Sequence, residues 1–168
     1  MLVWTLGAVA MHAVVPFELS VLGGRTRPPA RRPAARGTGL VTMAAGAGLM
    51  AWALAAHGTA APQGWPLESG LTPRYLLRRG PYSLCRNPMY AGEAVVWLGW
   101  AFYGSPAVWA GLAIECAAFT GIVRWEEQRL LGSFGGEYRA YLADVPRWVP
   151  RLSRVAGGGT HGLTVAML

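Results

Sequence analysis

The chain has 168 residues, of which 53% are hydrophobic and 14% are charged, and its formal net charge at pH 7 is +7. Soluble domains carry about 25% charged residues, so this composition favours an integral membrane protein of one domain's length. It excludes a disordered chain, which has too little apolar surface to fold, and a collagen, because the 23 glycines show no three-residue period.

All 15 basic residues are arginines. A basic balance suggests an anionic partner, but arginine-rich loops orient any membrane protein, and we favour this explanation over nucleic-acid binding. Cys85 and Cys116 have neither metal-ligand spacing nor a disulfide framework. His57 and His161 are isolated in the sequence, so no metal site is expected.

The first third of the chain holds two apolar runs, each close to the roughly 20 residues that a crossing needs. They are Leu2 to Leu22 and Gly39 to Ala56, and they predict a first helical hairpin. The second run is rich in glycine and alanine, which let helices approach closely. The connector at 23–37 is rich in arginine and proline, which indicates a solvated segment.

A longer apolar stretch, 89–123, contains two charged residues, Glu93 and Glu115. One helix of this length would measure about 52 Å, too long for a single crossing. Glycine, serine and proline at 104–106 form a turn signal, so the sequence predicts a second hairpin. The predicted spans are Met89 to Tyr103 and Pro106 to Val123. The segments before and after this hairpin must then emerge on the same membrane face.

Glu93 and Glu115 are predicted at similar depth, near mid-membrane, from the helix rise on either side of the turn. An ionisable group there is costly and is by default a functional hypothesis. The alternative is a protonated carboxyl that hydrogen-bonds between helices or faces a polar cavity.

Arginine placement predicts the orientation. Ten arginines follow residue 57, on the face that carries the loop 57–80 and the C-terminal segment, and five lie in the connector. The positive-inside rule predicts that the face with ten arginines is cytoplasmic. The end of the chain, 153–168, includes three consecutive glycines and is predicted to be a flexible tail.

The densest polar and aromatic cluster, 78–92, stands just before the predicted third span. Asn87 suits a helix N-cap and Pro88 the first helical position, with Arg86 and Tyr90 beside the opening turn. A helix N-terminus presents free N–H groups and a partial positive charge, so it can hold a carboxylate. The alternative is an ordinary capped membrane helix.

A second cluster follows the predicted fourth span. It begins with Glu126 and Glu127 and continues through the segments 134–141 and 145–150. Carboxylates near a helix C-terminus oppose the macrodipole, so this pair invites a functional explanation, and solvation of the helix end is the alternative. Such carboxylates can accept ribose hydroxyls or pair with an ammonium group or with Arg86.

The order of these motifs resembles the isoprenylcysteine carboxyl methyltransferase and phospholipid methyltransferase-like membrane family. The motifs are Gly-Pro-Tyr, Arg-Asn-Pro-Met-Tyr-x-Gly, Glu-Glu-x-x-Leu, Phe-Gly-x-x-Tyr and Val-Pro-Arg-x-x-Pro, and they cover 71–150. In that family an Arg-His-Pro-x-Tyr segment and a Glu-Glu segment form the S-adenosylmethionine site near the cytoplasmic face. Asn87 stands where many members have histidine, so we assign no proton transfer to position 87.

We therefore predict an all-α integral membrane protein with about four transmembrane helices in two hairpins and a cytoplasmic C-terminal segment. Residues 1–152 form one methyltransferase domain, with cofactor motifs at 80–92 and 124–150. The predicted catalytic residues are Arg86, Glu93 and Glu127. The cofactor-binding residues that the resemblance implies, with their neighbours in the same motifs, are Gly80, Tyr82, Arg86, Asn87, Pro88, Tyr90, Gly92, Glu126 and Glu127.

The predicted activity is methyl transfer from S-adenosylmethionine to a lipophilic acceptor, which by resemblance is an isoprenylcysteine-like carboxylate. A phospholipid amine and a small thiol are alternatives, and a neutral amine or thiol must lose a proton. A non-enzymatic membrane scaffold or transport subunit that binds anionic lipid is the alternative of another class. The glycine, alanine and arginine usage is typical of a GC-rich genome, which predicts a bacterial inner membrane with the cofactor site facing the cytoplasm.

Overall fold

The computed structural model describes residues 10–23, 33–60, 75–104, 106–149 and 164–165, and these are mostly helical. The helical elements are a π-helical segment (Ala10–Val14), α1 (Val15–Gly23), α2 (Pro33–Ala60), a 3-10 turn (Gly80–Ser83), α3 (Pro88–Tyr103) and α4 (Ala107–Asp144). Two short strands, β1 (Tyr75–Leu76) and β2 (Thr164–Val165), pair antiparallel, with Tyr75 opposite Val165.

Two of these helices are long and apolar enough to cross a membrane, the segment Ala34–Thr59 of α2 and the whole of α4. Their most apolar windows are only 22% and 17% buried, whereas the core helix of a soluble protein is mostly buried. Large apolar side chains instead face outward, including Val41 at 72% exposure and Ile114 at 71%. Such apolar outer surfaces suit a lipid environment.

The bounds of α3 agree with the predicted third span. Pro88 occupies its first position, where the missing N–H costs no helical hydrogen bond. At the other end the helix closes at Gly104, whose N–H donates to the Trp100 carbonyl oxygen at 2.6 Å. The predicted first span is described only from residue 10 onward, and residues 2–9 lie outside the described part.

The predicted fourth span ends at Val123, whereas helix α4 continues to Asp144. The charged residues after Val123 end the apolar run without ending the helix, because arginine, glutamate, glutamine and leucine are all good helix formers. A break in helical geometry comes later, at Gly135, with φ 48° and ψ −115°. Within the segment predicted as a flexible tail, residues 164–165 form β2, and the others lie outside the described residues.

The chain divides into two compact units. The first comprises Met1–Gly48 and Tyr90–Phe119, and the second comprises Leu49–Met89 and Thr120–Leu168. In the first unit Trp97, Ala101 and Val108 form a buried core. A Cβ at Gly111 would lie 2.6 Å from Cζ3 of the Trp97 indole, so this core requires glycine at position 111.

Also in the first unit, α2 and α3 meet at two pairs of glycines. A Cβ on Gly46 would lie 2.5 Å from the carbonyl oxygen of Gly92, and a Cβ on Gly39 would lie 2.7 Å from that of Gly99. No side chain fits at such distances, so the two backbones are in direct contact. This is the close packing that small residues allow between membrane helices.

The second unit packs the end of α4 against β1. Its main core cluster consists of Leu76, Phe134, Tyr138, Tyr141 and Val145. The Tyr141 hydroxyl donates to the carbonyl oxygen of Tyr82 at 2.6 Å, which joins this core to the 3-10 turn. Packing against α4 therefore positions the segment that leads into Arg86.

Gly46→Val tests the glycine contact. The added side chain must push against backbone atoms of α3, and we expect a destabilisation of about 1–3 kcal/mol and a lower thermal midpoint in detergent. Gly48→Val is the matched control, since nothing lies within 4 Å of a Cβ at Gly48. Equal midpoints for the two variants would contradict the contact.

Candidate functional site

The charged centre of the second unit is the carboxylate of Glu127, which is 7% exposed on α4. The guanidinium of Arg147 binds it with both arms, from Nε to Oε1 at 3.1 Å and from Nη2 to Oε2 at 2.6 Å. Arg86 approaches the same carboxylate, with Nη2 3.3 Å from Oε1. One buried carboxylate thus directly contacts two guanidinium groups.

Backbone hydrogen bonds hold both arginines in place. The Arg86 N–H donates to the Pro146 carbonyl oxygen at 2.9 Å, and Arg86 Nη1 donates to the Leu142 carbonyl oxygen at 3.4 Å. The side-chain amide of Asn87 donates to the Arg147 carbonyl oxygen at 3.1 Å. The segment before α3 is therefore attached to the segment after α4, and Asn87 contributes its amide nitrogen to this attachment.

A tight turn precedes Arg86. Gly80 has φ +60°, a conformation that favours glycine, and a Cβ there would meet the Ala56 side chain at 3.5 Å. The Ser83 hydroxyl donates to the Gly80 carbonyl oxygen at 2.7 Å, and the Leu84 N–H to that of Pro81 at 3.1 Å. These bonds close the Gly-Pro-Tyr turn and place Tyr82 in the interior of the second unit.

The Tyr82 hydroxyl is in contact with a histidine. Nε2 of His57 lies 2.8 Å from the Tyr82 hydroxyl oxygen, and Nδ1 lies 2.7 Å from that of Tyr75. The imidazole therefore bridges two phenols, one from the turn and one from β1. Both phenol rings stand edge-on to the imidazole, at centroid distances of 5.1 Å for Tyr82 and 5.7 Å for Tyr75.

Burial sets the ionisation of the groups beside the turn. It is the main cause that raises the pKa of Tyr82, and the nearby Tyr75, Cys85 and Glu126 raise it further. Burial likewise raises the pKa of the Cys85 thiol, so the neighbouring arginine does not make this cysteine a reactive thiolate. The hydrogen bond to Glu127 raises the pKa of the Arg147 guanidinium, which stays charged.

An open groove in the second unit lies beside the turn, with a volume of about 330 Å³. It is lined by Trp52, Ala55, Ala56, Thr59, Arg79 and Gly80. The Arg79 Nη2 donates to the Thr59 carbonyl oxygen at 2.7 Å, so a cationic group stands at the edge of a mostly apolar surface. The indole of Trp52 is 49% exposed there.

Three predicted site residues belong to the first unit. The Tyr90 ring packs on Phe119 with centroids 5.0 Å apart, and Gly92 faces Gly46. The carboxylate of Glu93 lies 2.6 Å from Nε2 of His12, which gives this half-buried acid a specific partner. Glu115, only 8% exposed, is close enough to Glu93 and His12 to interact with their charges.

Of the predicted site residues, Gly80, Tyr82, Arg86, Asn87, Pro88, Glu126 and Glu127 lie in the second unit. Within that unit the structure brings Arg86 into contact with Glu127, one of the pairings that the sequence left open. Sequence reasoning did not assign Arg147, Tyr75 or His57 to the site. Arg147 belongs to the Val-Pro-Arg-x-x-Pro motif. An arginine between two prolines directly after a helix is a sequence signal that could have identified it as a site residue.

In the parts of the chain that the structure describes, no three histidine, cysteine, aspartate or glutamate side chains are grouped so that they could hold a metal ion.

Residues 35–137 match the family model described as phospholipid methyltransferase, which is more than half of the chain. The chain belongs to the phospholipid methyltransferase family. The resemblance drawn from the motifs is therefore confirmed. The match includes α2, which the motifs did not cover, and stops before the Val-Pro-Arg segment that supplies Arg147.

This chain is similar to a curated protein over 99 residues, at 39% identity. The curated protein is the cobalt-zinc-cadmium resistance protein CzcN of Cupriavidus metallidurans. The aligned part covers 58% of this chain and 46% of that protein, so the chain spans about half the length of this relative. No solved structure matches this chain.

Replacing the charged centre tests its contribution to stability. In Glu127→Gln the two guanidinium groups lose their shared countercharge, and we expect a loss of roughly 3 kcal/mol in the free energy of unfolding. Glu137→Gln on an exposed face of the same helix is the control. Denaturation in detergent measures both, and an unchanged Glu127→Gln protein would show that the ion pairs contribute nothing.

A double-mutant cycle tests the pair in the first unit. We expect Glu93→Gln and His12→Gln each to lower stability, with a coupling energy of about 0.5–3 kcal/mol because each leaves the other without its partner. Glu18→Gln, an exposed acid on α1, is the control for charge removal. Strictly additive effects of the two changes would contradict a direct His12–Glu93 interaction.

Proposed function

We propose that this protein is an S-adenosylmethionine-dependent membrane methyltransferase that methylates a lipophilic acceptor. The observation that carries the proposal is the buried Glu127 carboxylate between Arg86 and Arg147, which lies where the two family motifs meet. Membership of the phospholipid methyltransferase family supports the reaction class. S-adenosylmethionine, when bound, supplies an electrophilic methyl group on a sulfonium sulfur.

The donors of this cluster fit the amino-acid head of the cofactor. Nε of Arg86 is buried and has no hydrogen-bond partner among the described residues, so it has a donor left for a carboxylate. Two guanidinium groups share one carboxylate, and this leaves an excess positive charge that favours an added anion. We propose that Arg86 and Arg147 bind the cofactor carboxylate and that Glu126 binds its ammonium group.

Other residues of the second unit complete the proposed cofactor site. Gly80 and Tyr82 form the turn, and Asn87 and Pro88 form the start of α3 that the family motif identifies. A tyrosine face beside a cation gains attraction from the ring quadrupole, which suits a sulfonium. Arg86 and Glu127 remain the proposed catalytic groups, and Tyr90, Gly92 and Glu93 in the first unit stay predictions from the sequence.

We further propose that α1 and α3 lie in the bilayer with α2 and α4, which makes four membrane helices. Helix α3 has 16 residues, about 24 Å of helix, and is apolar except for Glu93, whose partner His12 offsets the cost of burying a charge. The arginine distribution supports a cytoplasmic second unit in a bacterial inner membrane. The groove beside Trp52 and Arg79 is the proposed entry for the acceptor.

Calorimetric titration of S-adenosylhomocysteine into the purified protein tests the cofactor site. We expect micromolar binding that is weakened at least tenfold in Arg86→Gln, because one charged hydrogen bond contributes about 1.5–3 kcal/mol. Arg139→Gln, an exposed arginine of α4, is the matched control and is expected to bind normally.

Folded wild-type protein that binds no S-adenosylhomocysteine, in detergent and in lipid, would overturn the proposal and favour a non-enzymatic scaffold. Equal loss of binding in Arg86→Gln and Arg139→Gln would show that general charge, rather than this cluster, attracts the ligand.

A further inference from the structure

The imidazole of His57, which bridges Tyr75 and Tyr82 beside the proposed site, is a titratable group to which the proposed function assigns no role. His57 lies near the end of α2, and its two ring nitrogens lie 2.7 Å and 2.8 Å from the phenol oxygens of Tyr75 and Tyr82. All three side chains are half-buried. Both ring nitrogens are therefore committed to specific partners.

The chemistry of imidazole limits how these bonds are arranged. A neutral ring has one N–H donor and one acceptor nitrogen, so one phenol donates to the ring and the other accepts from it. Burial raises the pKa of both Tyr75 and Tyr82, so each phenol keeps its proton at neutral pH. With the ring proton on Nδ1, Tyr75 accepts, Tyr82 donates to Nε2, and the Tyr82 oxygen keeps lone pairs for another donor.

Tyr82 is also held from its backbone side. The Tyr141 hydroxyl donates to the Tyr82 carbonyl oxygen at 2.6 Å, and the Gly80–Ser83 turn fixes the chain on both sides of it. The charge of Glu126 acts on the Tyr82 phenol, which places this phenol near the second family motif. The phenol is thus ordered beside the proposed cofactor site.

We propose that Tyr82 and His57 form a proton-accepting relay for the methyl acceptor, with Tyr75 as the residue that orients the imidazole. The inference rests on the proposed function of the same unit. It adds Tyr82 to the proposed catalytic residues, as the one that contacts the acceptor, whereas His57 acts through Tyr82 and is a positioning residue. It implies an acceptor that must lose a proton, an ammonium or a thiol, rather than a carboxylate.

The relay removes a proton from the acceptor as the methyl group is transferred. The N–H or S–H bond of the acceptor breaks and its proton moves to the Tyr82 oxygen, while the Tyr82 proton moves to Nε2 of His57. The lone pair released on nitrogen or sulfur forms a bond to the methyl carbon, and the carbon–sulfur bond of the sulfonium donor breaks with its pair left on sulfur. The imidazolium then returns its extra proton to water.

His57 hydrogen-bonds with two of the titratable groups on the elements packed around it. The titratable and charged side chains on the packed elements are Tyr75, Arg79, Tyr82, Cys85, Glu126 and Tyr141. Removing the Tyr82 hydroxyl changes the partner of Nε2 and leaves the other groups in place. Tyr82→Phe is therefore the variant that isolates the relay.

Nitrogen NMR of ¹⁵N-histidine protein in lipid nanodiscs tests the relay without turnover. The chain has 3 histidines, and the resonance that His57→Gln removes is that of His57. We expect a neutral ring at pH 7 with the proton on Nδ1 and an accepting Nε2, and we expect this tautomer preference to disappear in Tyr82→Phe. A proton on Nε2, or a ring that stays charged at alkaline pH, would overturn the proposal.

A second experiment measures methyl transfer to three alkyl probes of equal chain length, an amine, a thiol and a carboxylate. We expect transfer to the amine or the thiol, and a loss of about 100-fold in kcat/KM in Tyr82→Phe and His57→Gln together with loss of the pH dependence. Thr42→Val on α2 is the control, since its hydroxyl bonds to the Thr38 carbonyl oxygen of its own helix.

The two arms separate failure of the relay from failure of the proposed function. Protein that binds S-adenosylhomocysteine but methylates the carboxylate alone, or keeps its rate in both relay variants, overturns the relay and leaves the methyltransferase assignment intact. Protein that binds no S-adenosylhomocysteine overturns both. Retained binding in His57→Gln with the expected loss of rate supports a role in proton transfer rather than in folding.

Discussion

The buried carboxylate of Glu127 is the constraint on which the second unit depends. A carboxylate that is 7% exposed needs a countercharge, because an unpaired buried charge costs several kcal/mol. The countercharges come from Arg86, which precedes α3, and Arg147, which follows α4. Meeting this requirement therefore joins two segments about 60 residues apart, and the backbone bond from Arg86 to Pro146 follows from the same approach.

Hydropathy and turn chemistry predicted where α3 begins and ends and where α4 begins. Pro88 and the glycine and proline at 104 and 106 act locally on the backbone, so their effect can be inferred without knowledge of the fold. The predicted span ends at Val123 while helical structure continues to Asp144, because a change from apolar to charged residues marks a change of solvent and not of backbone conformation. The antiparallel pairing of residues 75–76 with 164–165 had no local signal at all.

The site was predictable to a similar degree. A hairpin forces its two flanking segments onto one face, and this topological argument anticipated the contact between Arg86 and Glu127. His57 was dismissed as isolated because its partners stand 18 and 25 residues further along the chain. These contacts depend on how the end of α2 packs against β1 and the Gly80–Ser83 turn. No periodic pattern in the sequence predicts this packing.

The acidic side chains of the two units, Glu93 and Glu127, have different kinds of partner. In the first unit a histidine faces Glu93, and an imidazole is a cationic partner only when it is protonated. In the second unit the partners of Glu127 are two guanidinium groups, and that of Arg147 binds the carboxylate with two hydrogen bonds. Two guanidinium groups around one carboxylate leave an excess of positive charge, which suits the carboxylate of the cofactor that we propose. The proton exchange that we propose involves a different group, the imidazole of His57, which is bonded to Tyr82 in the same unit.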